Sequence, residues 1–216
     1  MLDGLRAWWR GLRHLNQRGY IYIWGSVLWF VLSLPLVTAP AAWAGLMHLS
    51  HRAYHDPGVR LEAFWEGFRE NLWRGFGLAL FNGLLVLMTV VNLNSTRGQA
   101  GLGIDLMRSA WLLSMVLWFT VQLYIWPIYY NMAQPDFWGA LRNAGVMMLL
   151  HPGFTLGLWL GVVLVLAFST VFFLAWLLLT AGALAAIANS AVLDRLQAAG
   201  YHTTALRFDG ASTEAE

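Results

Sequence analysis

"LPLVTAPAAWAGL" at residues 34–46 decides how this chain folds, because it sits inside 19–47, a run of 29 residues with no titratable group except tyrosine. Pro35 and Pro40, with Thr38 between them, interrupt what would otherwise be one long apolar helix, since a proline in a helix interior removes a hydrogen bond and clashes with the preceding turn. Three readings follow. The chain crosses a membrane once here, crosses twice with a tight turn at 35–40, or is cut after Ala44, where Ala42-Trp43-Ala44 forms an A-x-A pattern.

Composition sets the setting. Of 216 residues, 59% are hydrophobic and 11% charged, against about 25% charged in soluble domains. The chain has 13 basic side chains, all arginine, a formal net charge of +2 and no cysteine. Disulfides, thiolate metal sites and cysteine nucleophiles are therefore excluded, and so small a net charge gives no case for a nucleic-acid partner. Four stretches without Asp, Glu, Lys or Arg, at 19–51, 75–96, 109–135 and 143–193, are long enough for the roughly 20 helical residues that cross about 30 Å of hydrocarbon. The second and third are one helix each. The last is broken by Pro152 and Gly153, and its remaining 40 residues predict two helices with a turn near 168–171, marked by Ser169 and Thr170.

Arginine counting arbitrates the first run, because positive side chains stay cytoplasmic. If 20–34 runs outward and 39–54 returns, six helices result. Cytoplasmic segments then hold Arg6, Arg10, Arg13, Arg18, Arg52, Arg60, Arg69, Arg74, Arg142, Arg195 and Arg207, leaving Arg97 and Arg108 outside. A single crossing, the five-helix alternative, nearly erases that bias. A signal peptide would have an unusually long basic start and outward-facing arginines after the cut. The sequence thus predicts an all-α, polytopic transmembrane bundle of six helices, with both first helices short. An interfacial amphipathic helix at 1–19 precedes a membrane domain at 20–193, and a polar tail follows at 194–216.

The segment 29–52, "WFVLSLPLVTAPAAWAGLMHLSHR", followed by "FWEGFRENLWRGF" at 64–76, resembles the YesL-like family of bacterial membrane proteins of unknown function. Leu34, Pro35, Val37, Thr38, Ala41, Arg52, Phe64, Phe68 and Asn71 match its pattern. The resemblance implies a bacterial cytoplasmic-membrane protein with a carbohydrate-uptake context.

Independently, "FWEGFR" at 64–69 and "FWGALR" at 137–142 form a repeat offset by 73 residues. Each follows an inward-running helix, so both lie at the cytoplasmic surface, with aromatics in the acyl boundary and Arg toward headgroups. Phe64, Trp65, Arg69, Phe137, Trp138 and Arg142 are the candidate partner-docking face. At 1–19, Leu2, Leu5, Trp8, Trp9, Leu12 and Leu15 recur at near-helical spacing with Arg6, Arg10 and Arg13 opposite, which predicts a helix lying on the anionic leaflet.

Gly153, Gly157 and Gly161 lie four apart, as do Gly182, Ala186 and Ser190. Such stripes let helix backbones approach closely, and the fifth and sixth helices are expected to pack through them. A homodimer seam is the alternative use. His48, His51 and His55 share a helical face and are the candidate metal ligands, but a bound metal usually draws ligands from more than one element, so no metal or cofactor is expected. Asn82, Asn92, Asn94, Gln122, Asn131 and Asn189 read as interhelical glue, and a solute or lipid channel lined by the amides at 82, 92, 122 and 131 is the alternative function. No charge lies inside the later helices as drawn, which argues against a proton relay. Tryptophans near helix ends fit an interfacial belt, and no catalytic motif is found. The expected role is noncatalytic: an accessory or assembly subunit working with a membrane-protein partner or a second copy of itself in the lipid bilayer.

Overall fold

At the decisive stretch the backbone reverses. The computed structural model describes residues 1–172 and 176–201, and in it the run 19–55 is a helical hairpin of α2 (Gly19–Ser33) and α3 (Ala39–His55). Each proline has a separate job. The residue before a proline is disfavoured in helical conformation, and α2 ends just before Leu34 and Pro35. Pro40 occupies the first turn of α3, where a missing N–H costs nothing. Between them Leu36 adopts φ 59°, an αL conformation that costs a non-glycine residue about 1 kcal/mol or more, while the Thr38 hydroxyl donates to the Leu32 carbonyl across the turn.

The two helices then run antiparallel. Tyr22 meets Ser50 at 3.0 Å, Gly25 faces Leu46 and Leu49, and the Trp29 and Trp43 rings lie 6.2 Å apart. The hairpin closes at its open end, where the Arg18 guanidinium donates to the Pro57 carbonyl at 2.5 Å. Both ends of the apolar run are therefore neighbours.

The other described elements are also helical. They are α1 (Leu2–Gln17), α4 (Glu62–Glu70), α5 (Leu72–Ser95), α6 (Leu102–Asn131), α7 (Phe137–Leu150), α8 (Pro152–Val171) and a π-helical stretch (Trp176–Thr180) that continues into α9 (Ala181–Ala198). The expected turn does not fall at 168–171, where α8 persists to Val171; residues 202–216 of the expected tail, Arg207 among them, lie outside the described residues.

The segment α4–α5 runs back along α3. A Cβ at Gly45 would meet Phe64 and Phe68, and one at Gly75 would meet the Ala41 backbone at 2.7 Å. The α5–α6 hairpin projects from there, paired from Arg74 and Tyr129 at its base to Thr96 and Arg108 at its tip. Arg108 donates to Thr96 Oγ1 at 3.1 Å, and to the carbonyls of Thr96 and Gln99. It thereby ties the loop after α5 to the first turns of α6.

Three helices, α5, α6 and α8, are long and apolar enough to cross a membrane, at about 36, 45 and 30 Å by a 1.5 Å rise per residue. α2 is apolar but has 15 residues. Of the most apolar window of α5 just 11% is buried, against 33% and 39% for α6 and α8. The core lies elsewhere, around the fully buried Trp126, Tyr22, Tyr124, Phe64, Leu46 and Met47.

One expectation needs correction. The small-residue stripes of α8 and α9 do not meet each other; α1 lies between them. Gly157 closes on Met1 and Gly161 on Trp8, while Gly153 has Met1 as its nearest neighbour at 3.6 Å. On α9, Ser190 donates to the Ala7 carbonyl at 2.8 Å, Ala186 abuts Gly11, and Gly182 abuts Tyr22 and Ser26 of α2. The physical reason is that α1 carries its own small stripe, Gly4, Ala7 and Gly11, and these with His14 form its buried side. Three such faces let three backbones approach.

The same packing ties the orientation of α1 to that of α8. α1 advances in step with α8, from Met1 beside Gly157 to Leu12 and Leu15 beside Leu164, Val165 and Phe168. Helices packed lengthwise share an orientation, so α1 cannot lie flat on a leaflet while α8 crosses upright.

Candidate docking face and buried polar clusters

The two repeated hexapeptides take corresponding places. α4 follows α3 and α7 follows α6, and in each the phenylalanine turns inward while tryptophan and arginine turn outward. Phe64 is fully buried, which removes it from the candidate docking face; its ring stacks with Phe68 of the same helix. Phe137 is half-buried, 5.7 Å from the Trp126 ring. Trp65 is 37% and Trp138 73% exposed, and Arg69 and Arg142 are exposed beside them. Asp136 fixes the start of α7 as a side-chain N-cap, accepting from Gly139 N at 2.7 Å and Trp138 N at 3.3 Å. The face that remains is two outward Trp–Arg pairs, each anchored by an inward Phe.

Behind α4 lies a polar hub. Buried Asn71 donates to the Gly67 carbonyl and to Tyr130 Oη, both at 3.0 Å, and Tyr130 Oη donates to the Ala44 carbonyl at 3.1 Å. Arg74 reaches Asn71 Oδ1 and Tyr129 Oη, both at 2.9 Å. One amide therefore joins α3, α4, α5 and α6. Beside this hub, Ala41 lies against Gly75, and Phe64 and Phe68 lie against Gly45.

The histidine face is drawn into the same region. His48 Nδ1 donates to the Ala63 carbonyl and His55 Nδ1 to the His51 carbonyl, both at 2.8 Å. His51 Nδ1 lies 3.4 Å from Asn131 Nδ2. Among the described residues no three His, Cys, Asp or Glu side chains gather so as to hold a metal ion.

The amides serve separate helix contacts. Asn82 and Gln122 bond to each other at 3.0 and 3.2 Å, and Trp118 Nε1 donates to Asn82 Oδ1 at 2.7 Å. Asn92 turns to its own helix at Met88, Asn131 to Pro127, and Asn189 to Ala185. Asn82→Leu leaves Gln122 and Trp118 without this partner inside the apolar hairpin, so we expect a loss of about 1 kcal/mol, read as a lower melting temperature in detergent. The double variant Asn82→Leu/Gln122→Leu should recover part of that loss.

A cluster not anticipated from the sequence lies where α1, α2, α3 and α9 converge. His14 Nε2 is 3.2 Å from the Ala53 carbonyl and Nδ1 is 2.9 Å from Tyr22 Oη. A carbonyl can only accept, so Nε2 carries the hydrogen and Nδ1 accepts from the Tyr22 hydroxyl. Tyr22 Oη in turn accepts from Ser50 at 3.0 Å. The His14 ring stacks on Tyr54 at 3.7 Å between centroids, and Tyr54 Oη donates to the Ala186 carbonyl at 3.0 Å. Burial pushes the His14 imidazole down to about 4, with the Arg18 charge adding to that and the Ala53 hydrogen bond opposing it. It is neutral at pH 7.

Comparison with family models, with curated proteins and with solved structures returns no match.

Proposed function

We propose that this chain is a noncatalytic, multi-pass protein of the bacterial cytoplasmic membrane that serves as an accessory or assembly subunit of a membrane complex. The YesL-like resemblance extends the reading to carbohydrate uptake. Three hairpins, α2–α3, α5–α6 and α8–α9, enter the bilayer from the cytoplasmic side, six helices in all, and both termini, α4 and α7 stay on that side. The arginine distribution supports this, with eleven inside against two at the α5–α6 tip. The count is the same whether the outer two hairpins traverse fully or return partway, because neither 34–38 nor 172–180 carries a charge. The α5–α6 hairpin has the length for a full crossing. α2, at about 22 Å, needs a thinned bilayer or partial re-entry. Side-by-side packing with α1 makes the α8–α9 hairpin oblique, since that keeps Arg6, Arg10 and Arg13 near headgroup depth rather than in hydrocarbon.

The observation that carries the docking role is the matched placement of Trp65–Arg69 and Trp138–Arg142, exposed on two helices that the proposed topology puts on one membrane face. Tryptophan and arginine are the side chains most enriched at the energetic centres of interfaces. A photocrosslinking amino acid placed at 65 or at 138 in native membranes should trap the same protein partner from both positions. Adducts with lipid alone, at both positions, would end the docking proposal.

A further inference from the structure

We infer that the groove between α1 and the C-terminal part of α9 is a discrete binding site for one anionic phospholipid of the cytoplasmic leaflet. The groove has a volume of about 740 Å³ and is lined by Leu2, Leu5, Arg6, Trp9, Arg10 and Arg195, among others. The inference rests on the membrane placement proposed above and not on the docking role.

The argument begins with what α1 turns outward. Its small stripe is seated against α8 and α9, so Arg6 and Arg10, one helical turn apart, point away from that seat. Like charges at this spacing repel each other, and a bound anion relieves the repulsion. Their acidic neighbours do not cancel them. Asp194 is shared, accepting from Arg10 through Oδ1 and from Arg195 Nη2 and Nε through Oδ2 at 2.7 and 3.2 Å, which leaves that triad with a net positive charge. Arg6 has Asp3 at 3.4 Å in a largely exposed pair, of a kind that contributes little. A guanidinium has five N–H donors, so both arginines keep donors to spare for a phosphate.

Apolar surface lies beside the charge. Leu2 is 70% and Trp9 57% exposed, on the same groove as the guanidinium groups. A free phosphate has no use for this surface, whereas a phospholipid does: phosphate oxygens across Arg6 and Arg10, and an acyl chain along Leu2, Leu5 and Trp9. The proposed topology places the groove at the leaflet that carries the anionic lipids. Arg195 is backed by the Phe154 ring, its guanidinium 4.3 Å over the ring centroid.

The test is native mass spectrometry of the purified full chain, titrated with phosphatidylglycerol, with phosphatidylcholine of the same chain lengths, and with inorganic phosphate. The expected result is one phosphatidylglycerol retained per chain, phosphatidylcholine retained at least about tenfold less, and no displacement by excess inorganic phosphate. At about 1 kcal/mol per arginine, Arg6→Gln should weaken retention about fivefold and Arg6→Gln/Arg10→Gln by more than tenfold. Arg6→Gln leaves the Arg10–Asp194–Arg195 triad intact, so its effect does not depend on refolding of α9. Arg60→Gln, an equal change of net charge at an exposed position outside the groove and the docking face, should leave retention unchanged. Equal retention of the two lipids, displacement by inorganic phosphate, or an equal loss in Arg60→Gln would overturn the site. Failure here leaves the photocrosslinking result at 65 and 138 untouched, and the reverse also holds.

Discussion

Gly11→Leu will unseat α1. A Cβ at Gly11 falls 2.6 Å from Ile187 Cα and 2.9 Å from Ile187 N, and backbone atoms in the middle of a helix cannot move aside as a flexible side chain can. Overpacking of this kind costs about 1–3 kcal/mol for a methyl group, which sets the expectation for Gly11→Ala. Three more carbons exceed what the groove can absorb. Limited trypsin digestion of the Leu variant in detergent should then cut at Arg6, Arg10 and Arg13 under conditions where the parent chain resists, and its melting temperature should drop. Gly77 and Gly83 on α5 have open space where a Cβ would go, and alanine at either is expected to be neutral or to stabilise by about 0.5–1 kcal/mol through helix propensity. A Gly11→Leu chain as resistant as the parent would mean that α1 has no such seat.

The second large effect is on pH. Folding holds His14 at a pKa of about 4 against 6.5 for the free side chain. The unfolded chain takes up the proton first, so stability is full above pH 6.5, declines as pH falls, and levels off below about pH 4. The difference of about 2.5 pH units corresponds to about 3 kcal/mol at the acid end. His14→Phe removes this titration. It also leaves Tyr22 Oη and the Ala53 carbonyl without the imidazole, a cost of about 1–3 kcal/mol at neutral pH. The parent's advantage should therefore shrink as pH falls from 7 toward 4, and reverse there wherever the neutral-pH cost is below about 3 kcal/mol. Parallel curves across that range would show that His14 does not titrate as buried.

Some of this architecture is legible in the residues and some is not, for physical reasons. The break at 34–38 is legible because proline acts locally: Pro35 disfavours helix at Leu34, and Pro40 starts one wherever it falls in a first turn. The α4 and α7 helices are legible because "FWEGFR" and "FWGALR" repeat, although composition alone cannot tell that Phe64 is interior while Trp65 is not. The small stripes of α8 and α9 are visible as faces, but spacing says that a backbone will approach and not whose. On α1 the prominent Leu and Trp pattern conceals the weaker Gly4, Ala7, Gly11, His14 stripe that is in fact buried. His14, Tyr22 and Ser50 are unremarkable apart, and only the convergence of three helices makes them a network. The lipid groove needs both α1 and α9, residues about 190 apart in the chain, so no local pattern announces it.

One experiment bears on the whole account, because the chain has no cysteine to interfere. Gly58→Cys and Gln99→Cys, made singly, are exposed to a membrane-impermeant thiol reagent in intact cells and again after lysis. If the apolar run folds back at its prolines, position 99 at the α5–α6 tip is labelled in intact cells, and position 58, beside the Arg18–Pro57 closure, is labelled only after lysis. Labelling of position 58 in intact cells would contradict the account.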